Sequence, residues 1–108
     1  MGGRSSRIKG AAAERELAAI LSDELGVVVK RKLGQAREGG DDMQVDKFRI
    51  EAKRHEKLAL PAWCRQIEAA CQPGDVPIVA YRQNGQPWRI VMKLEDFLPL
   101  MRGELSNE

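Results

Sequence analysis

The hydrophobic and polar positions divide the chain into alternating helical and extended segments. Over residues 10–25 an alanine-rich stretch carries Leu17, Ile20, Leu21 and Leu25 at helical spacing, and Gly26 stands where a helix ends. Residues 27–33, VVVKRKL, predict a strand, and residues 34–40 a polar, glycine-rich loop. Residues 41–53 predict two short strands joined by a turn at Asp46-Lys47. On the second, Phe48, Ile50 and Ala52 face one way and Arg49, Glu51 and Lys53 the other. A helix over 61–72 opens on Pro61. An apolar strand over 76–82 is turned back at Asn84-Gly85 into a return strand over 88–93. A last short helix over 94–102 is expected to end or break near Pro99. The order α-β-β-β-α-β-β-α predicts an α/β protein, one mixed sheet flanked by helices.

At 108 residues, with 43% hydrophobic and 31% charged residues, the chain suits one globular domain. Residues 1–9, with Arg4, Arg7 and Lys9, read as a flexible basic arm, 10–102 as the single domain and 103–108 as a frayed tail. No apolar run is long enough for a membrane span, and no apolar stretch follows MGGRSSRIKG as it would in a secretory signal. Cys64 and Cys71 are seven residues apart. On one helix that spacing is about 10 Å of rise, too far for a disulfide, so both read as small buried residues of a reducing, cytoplasmic compartment. His55 is the single histidine and completes no zinc set. Trp63, Trp88 and Tyr81 read as core residues.

A net charge of +2 conceals an uneven distribution. Residues 1–37 hold eight Lys/Arg against four Asp/Glu, whereas 38–57 hold six acids among five bases. Basic surface favours a polyanion, and a knot of carboxylates within it favours a metal ion at a phosphate.

The hairpin gives that knot a geometry. A turn at Asp46-Lys47 pairs Val45 with Phe48, Met43 with Ile50 and Asp42 with Glu51. Directly opposed residues have β-carbons about 4.5–5.5 Å apart. Two carboxylates so placed repel unless a cation lies between them. Lys53 projects from the same face as Glu51. This set suits magnesium, which takes oxygen ligands and one or two carboxylates. Asp42 and Glu51 are the candidate ligands, with the Ala52 carbonyl as a third oxygen and manganese as a substitute ion. Lys53 is the candidate organiser of water and phosphate. Glu14, in line with Ala18, Leu21 and Leu25, borders the apolar stripe of its helix and is a candidate auxiliary ligand.

Asp42, followed after eight residues by Glu51-Ala52-Lys53, resembles the motif of the PD-(D/E)XK nuclease superfamily. The helix carrying Glu14 in GAAAEREL resembles the first helix of its Holliday junction resolvases. KR-KLGQAREGGDD, FRIEAKR and WCRQ are similar to small phage and prophage resolvases. Gly40-Asp41-Asp42 stands where Pro-Asp is common, so Asp41 rivals Asp42 for the metal-binding position. The resemblance covers about residues 8–82. It implies a restriction-endonuclease-like fold, with an αβββαβ core plus a C-terminal strand and helix.

It further implies a magnesium-dependent DNA endonuclease, structure-selective on branched DNA and dimeric, with a role in recombination or repair. Glu14, Asp42, Glu51 and Lys53 would be catalytic, and Gln66 would lie near the site or the DNA. By their charge, Arg31, Lys32, Arg37 and Arg54 are candidate phosphate contacts. The alternatives are a DNA-binding module or inactive nuclease relative, and an interaction domain without nucleic acid.

Overall fold

The computed structural model describes residues 2–32 and 41–106. Its elements are α1 (Gly2–Leu25), β1 (Met43–Val45), β2 (Phe48–Arg54), α2 (Leu60–Ala70), β3 (Val76–Arg82), β4 (Arg89–Val91) and α3 (Leu94–Ser106). The strands form one four-stranded sheet in the order β1-β2-β3-β4. β1 and β2 are antiparallel, β2 and β3 parallel, and β3 and β4 antiparallel. Parallel pairing of β2 with β3 requires a crossover, and α2 supplies it. This mixed sheet with three helices is compatible with the restriction-endonuclease-like fold.

The alternation along β2 and β3 assigns one helix to each face. Ile50, Ala52 and Ala80 join Leu17 and Ala18 of α1, with Val29 and Met43, in one core cluster. Val79 faces the other way, with Trp63, Ile67 and Ala70 of α2 and with Tyr81 partly buried beside them. Trp63 thus belongs to the core, as expected, and Trp88 packs partly buried against the first cluster. The hairpin register is the expected one for Met43 opposite Ile50 and Val45 opposite Phe48, but the expected pairing of Asp42 with Glu51 does not form, because the Asp42 N–H bonds the Ile50 carbonyl instead. Asp46 adopts a positive φ of 53° in the turn, a conformation aspartate tolerates better than most residues.

Three expectations need correction. The strand expected over 27–33 does not form in its described part, residues 27–32; one isolated bridge joins Arg31 to Met43. Val27 and Val28 point to solvent, and only Val29 is buried. The Val29 N–H donates to the Ser22 hydroxyl at 2.8 Å, which takes it out of any strand ladder. A run of valines fits a pleated, half-buried surface, and here no such surface is offered.

The first helix begins at Gly2, not residue 10, so its backbone runs through the segment read as a basic arm. A helix once nucleated by the alanine-rich stretch extends at little cost per residue. At the other end, α3 continues through Pro99 to Ser106 and takes in most of the tail read as frayed. The polar loop over 34–40 and Arg37 within it lie outside the described residues.

Candidate active site

Glu51 and Lys53 occupy alternate positions of β2, opposite Val79 and Tyr81 in the parallel register, and therefore project on the α2 face. The Lys53 ammonium stands 3.2 Å from Glu51 Oε1, which places both on one side of the sheet as expected. The same ammonium lies 5.9 Å from the centre of the Trp63 ring, whose face attracts a cation. Glu51 is almost completely buried, whereas Lys53 keeps partial access to solvent.

Asp42 is held to the segment between these two residues. Its Oδ2 accepts the Ala52 N–H at 2.7 Å. Its own N–H donates to the Ile50 carbonyl at 2.8 Å, although Ile50 is already the register partner of Met43. Two consecutive residues, Asp42 and Met43, thus face one residue of β2, which is the mark of a bulge. The bulge ends regular pairing at Met43 and lets the Asp42 carboxylate replace a backbone carbonyl as the acceptor for Ala52.

The bulge also places Asp41, the rival carboxylate. Read on the unbroken register, Asp41 falls on the apolar face opposite Ala52; it lies instead with Arg49. Arg49 donates Nε to Asp41 Oδ2 at 2.8 Å and Nη2 to Oδ1 at 2.9 Å, a two-pronged pair. Lys32 adds a third bond at 2.9 Å, and Arg49 reaches on to Asp75 at 2.9 Å. Burial alone would raise the Asp41 carboxyl, but its bonds to Arg49 and Lys32 hold it below the ordinary value. The bond to Asp41 likewise holds the Arg49 guanidinium above its own. Asp41 is completely buried, and both its oxygens are engaged by cationic donors. Among the two neighbouring aspartates, Asp42 is the one whose carboxylate lies against the Glu51–Lys53 segment.

Glu14 comes from the other layer. It sits within the buried stripe of α1, between Ala13 and Leu17, and does not merely border it. Its Oε1 accepts Arg31 Nε at 3.2 Å. Arg31 bridges Met43, and the next residue, Lys32, donates its N–H to the Asp42 carbonyl at 2.7 Å. Glu14 is therefore connected to the hairpin through residues 31–32, along the outer edge of β1.

The oxygen donors Asp42, Glu51 and the Ala52 carbonyl match the ligand chemistry of a hard divalent cation. Among the described residues, no group of three His, Cys, Asp or Glu side chains is gathered to hold a metal. The fit is to an ion that takes one or two carboxylates and completes its shell with water, not to a cage built of protein ligands. Burial raises both thiols, with Glu68 adding to the effect at Cys64 and Asp75 at Cys71, and both cysteines are free.

The remaining candidates divide by surroundings. Arg31 and Lys32 are bound to Glu14 and Asp41, and their charge is already used within the fold. Among the described residues, Arg54 meets only the neutral Asn84 Oδ1 at 3.2 Å by its Nη2, and its buried Nε has no partner. Gln66 is exposed on α2. His55 is exposed, with its ring 5.3 Å from that of Trp63. Sequence reasoning missed the Arg49–Asp75 link across the sheet. The signal available was the position of Arg49 on the same strand face as Glu51 and Lys53.

The mixed sheet, with an acid and a lysine two residues apart on β2 and an aspartate fastened between them, defines a nuclease-like α/β protein. The chain matches the model of the family described as "Phage putative PDDEXK endonuclease" over residues 5–104, and belongs to that family. No curated protein and no solved structure matches it.

Proposed function

We propose that the protein is a magnesium-dependent endonuclease that hydrolyses phosphodiester bonds of branched DNA and acts as a homodimer. The observation that carries the reading is the Glu51–Lys53 pair on one face of β2, with Asp42 bound to the Ala52 N–H between them. Asp42, Glu51 and the Ala52 carbonyl are the proposed ligands of the ion. Glu14 is assigned an auxiliary role at its water shell. Magnesium, when bound, supplies an acidified water and neutralises charge on the phosphoryl oxygens.

The chain's own part is orientation and charge. Lys53 is mostly buried but keeps some access to solvent, and it is held at one end by Glu51 and at one side by the Trp63 ring. Its ammonium can donate to the attacking water or to a non-bridging phosphate oxygen, where negative charge develops. Water attacks phosphorus, the bond to the leaving sugar oxygen breaks, and that oxygen departs with a proton. No bond to the enzyme forms. Arg54 and Gln66 are exposed enough to meet a backbone without first giving up a buried partner. A four-way junction needs two cuts related by approximate twofold symmetry, and two copies of the chain supply two sites. On this reading the protein acts in a reducing, cytoplasmic setting.

The test is cleavage of matched junction, flap, nicked and linear duplex substrates with magnesium or manganese, with Glu51→Ala and Lys53→Ala beside the parent. Both variants are expected to lose cleavage while keeping the far-ultraviolet dichroism of the parent. Cleavage that survives either substitution refutes the role given to that residue. DNA binding without cleavage or metal binding by the parent identifies a binding module. Equal rates on junction and linear duplex remove the selectivity for branches.

A further inference from the structure

α3 is set against the domain by one side only. Among its residues Asp96 alone is partly buried, and every other residue is exposed. Asp96, Pro99 and Leu100 line a cleft with Lys47, Phe48, Asp75 and Val76. Successive helical residues turn by about 100°, so these three mark the side that faces the sheet. Leu94, Leu98, Met101 and Leu105 follow one another at intervals of four, three and four. On the same geometry their centre lies about 180° away. They form an apolar seam directed outward, with Leu94 68% and Leu105 63% exposed.

The 4-3-4 spacing is that of the seam positions of a coiled coil, a pattern that needs a second helix. The charges beside it indicate which helix. In an antiparallel pair, Leu98 packs against the partner's Met101 and Leu94 against the partner's Leu105. That register sets Glu95 across from the partner's Arg102, and by symmetry Arg102 across from the partner's Glu95. Both contacts on that flank are then between opposite charges, while the other flank sets Phe97 near the partner's Glu104. Among the described residues Glu95 otherwise has only Lys93, 3.5 Å away at the open surface, a pair of little value to the isolated chain.

We infer that α3 is the site of self-association, pairing antiparallel with α3 of a second copy about a twofold axis. The inference rests on the dimeric reading above for its purpose, since it locates the contact which that reading requires. It does not rest on catalysis. A helix about 20 Å long and about 10 Å wide has a footprint of a few hundred Å². That is below the roughly 800 Å² per partner of a standard interface, so dissociation in the micromolar range is expected.

The experiment is sedimentation equilibrium of the full chain from about 1 to 200 μM, without DNA or metal. A concentration-dependent dimer is expected for the parent, and a monomer for Leu98→Glu, whose side chain lies outside the core. Glu95→Arg should weaken association at least tenfold by setting two arginines together, and the exchange Glu95→Arg with Arg102→Glu should restore it. A parent that stays monomeric at 200 μM overturns the inference. So does a dimer indifferent to Leu98→Glu, or an exchange that fails to restore association. Cutting of one strand of a junction by monomeric Leu98→Glu, measured separately, distinguishes a failed interface from a failed nuclease site.

Discussion

The two adjacent aspartates have opposite expected responses to the same substitution. Asp41→Asn keeps the shape of the side chain and removes its charge from beneath Arg49 and Lys32. The carboxylate is wholly buried and accepts three bonds of 2.8–2.9 Å. Removing one partner of a buried ion pair costs about 3–5 kcal/mol. Two features place this case at the lower end: Arg49 keeps Asp75 at 2.9 Å, and Lys32 is exposed enough to recover water. A loss of about 3 kcal/mol is therefore expected, and it lowers the melting temperature by about 12 °C or more for a domain near this size.

The pH dependence follows from the direction of the shift. The folded value of Asp41 lies below its ordinary value of 3.8. Its stabilisation is thus fully present above that value and is lost as pH falls through the folded one. Urea unfolding of parent and variant, followed by circular dichroism at pH 7 and again near pH 3, should give a gap that narrows on acidification. Asp42→Asn, by contrast, retains an amide oxygen able to accept the Ala52 N–H. It should cost under about 1 kcal/mol yet abolish cleavage, whereas folded Asp41→Asn should still cut. A gap below about 1 kcal/mol for Asp41→Asn at pH 7, or one unchanged by acid, refutes the structural role assigned to this carboxylate.

Three further substitutions test other parts of the fold and site. Gly26→Ala places a side chain at φ 68° at the end of α1, where open space surrounds it; thermal melts should show a loss of about 1 kcal/mol from backbone strain alone. Ile67→Ala empties a fully covered position under α2, and urea titration should show a loss of about 2–5 kcal/mol. Arg54→Ala should weaken DNA binding and reduce the slope of log affinity against log salt by about one phosphate contact, with the rate at saturating DNA unchanged.

Local patterns carried most of the hairpin. The turn at Asp46-Lys47, the register of Met43 with Ile50 and the shared side of Glu51 and Lys53 all follow from strand alternation and one turn position. They depend on neighbours within about a dozen residues. The same locality limits the reading at residues 27–32. Valines were present, but a strand needs an edge and a face to cover, and both are supplied by distant parts of the chain. Glu14 lay at a boundary that helical periodicity cannot resolve. Its burial comes from packing against the sheet and from Arg31, seventeen residues later.

By itself, then, the amino-acid order determined the succession of elements apart from the strand expected over 27–33, together with the β-ribbon and the residue types gathered on its polar face. These arise from periodicities of two and 3.6 residues and from turn chemistry, which act over short stretches of backbone. The hairpin register already favoured Asp42 over Asp41, but tertiary structure alone decided what Asp41 binds instead. Its placement turns on a one-residue bulge and on Arg49, Lys32 and Asp75, brought together from three separate segments. A single inserted residue reverses which side chains share a face, and only the assembled sheet fixes where that insertion falls.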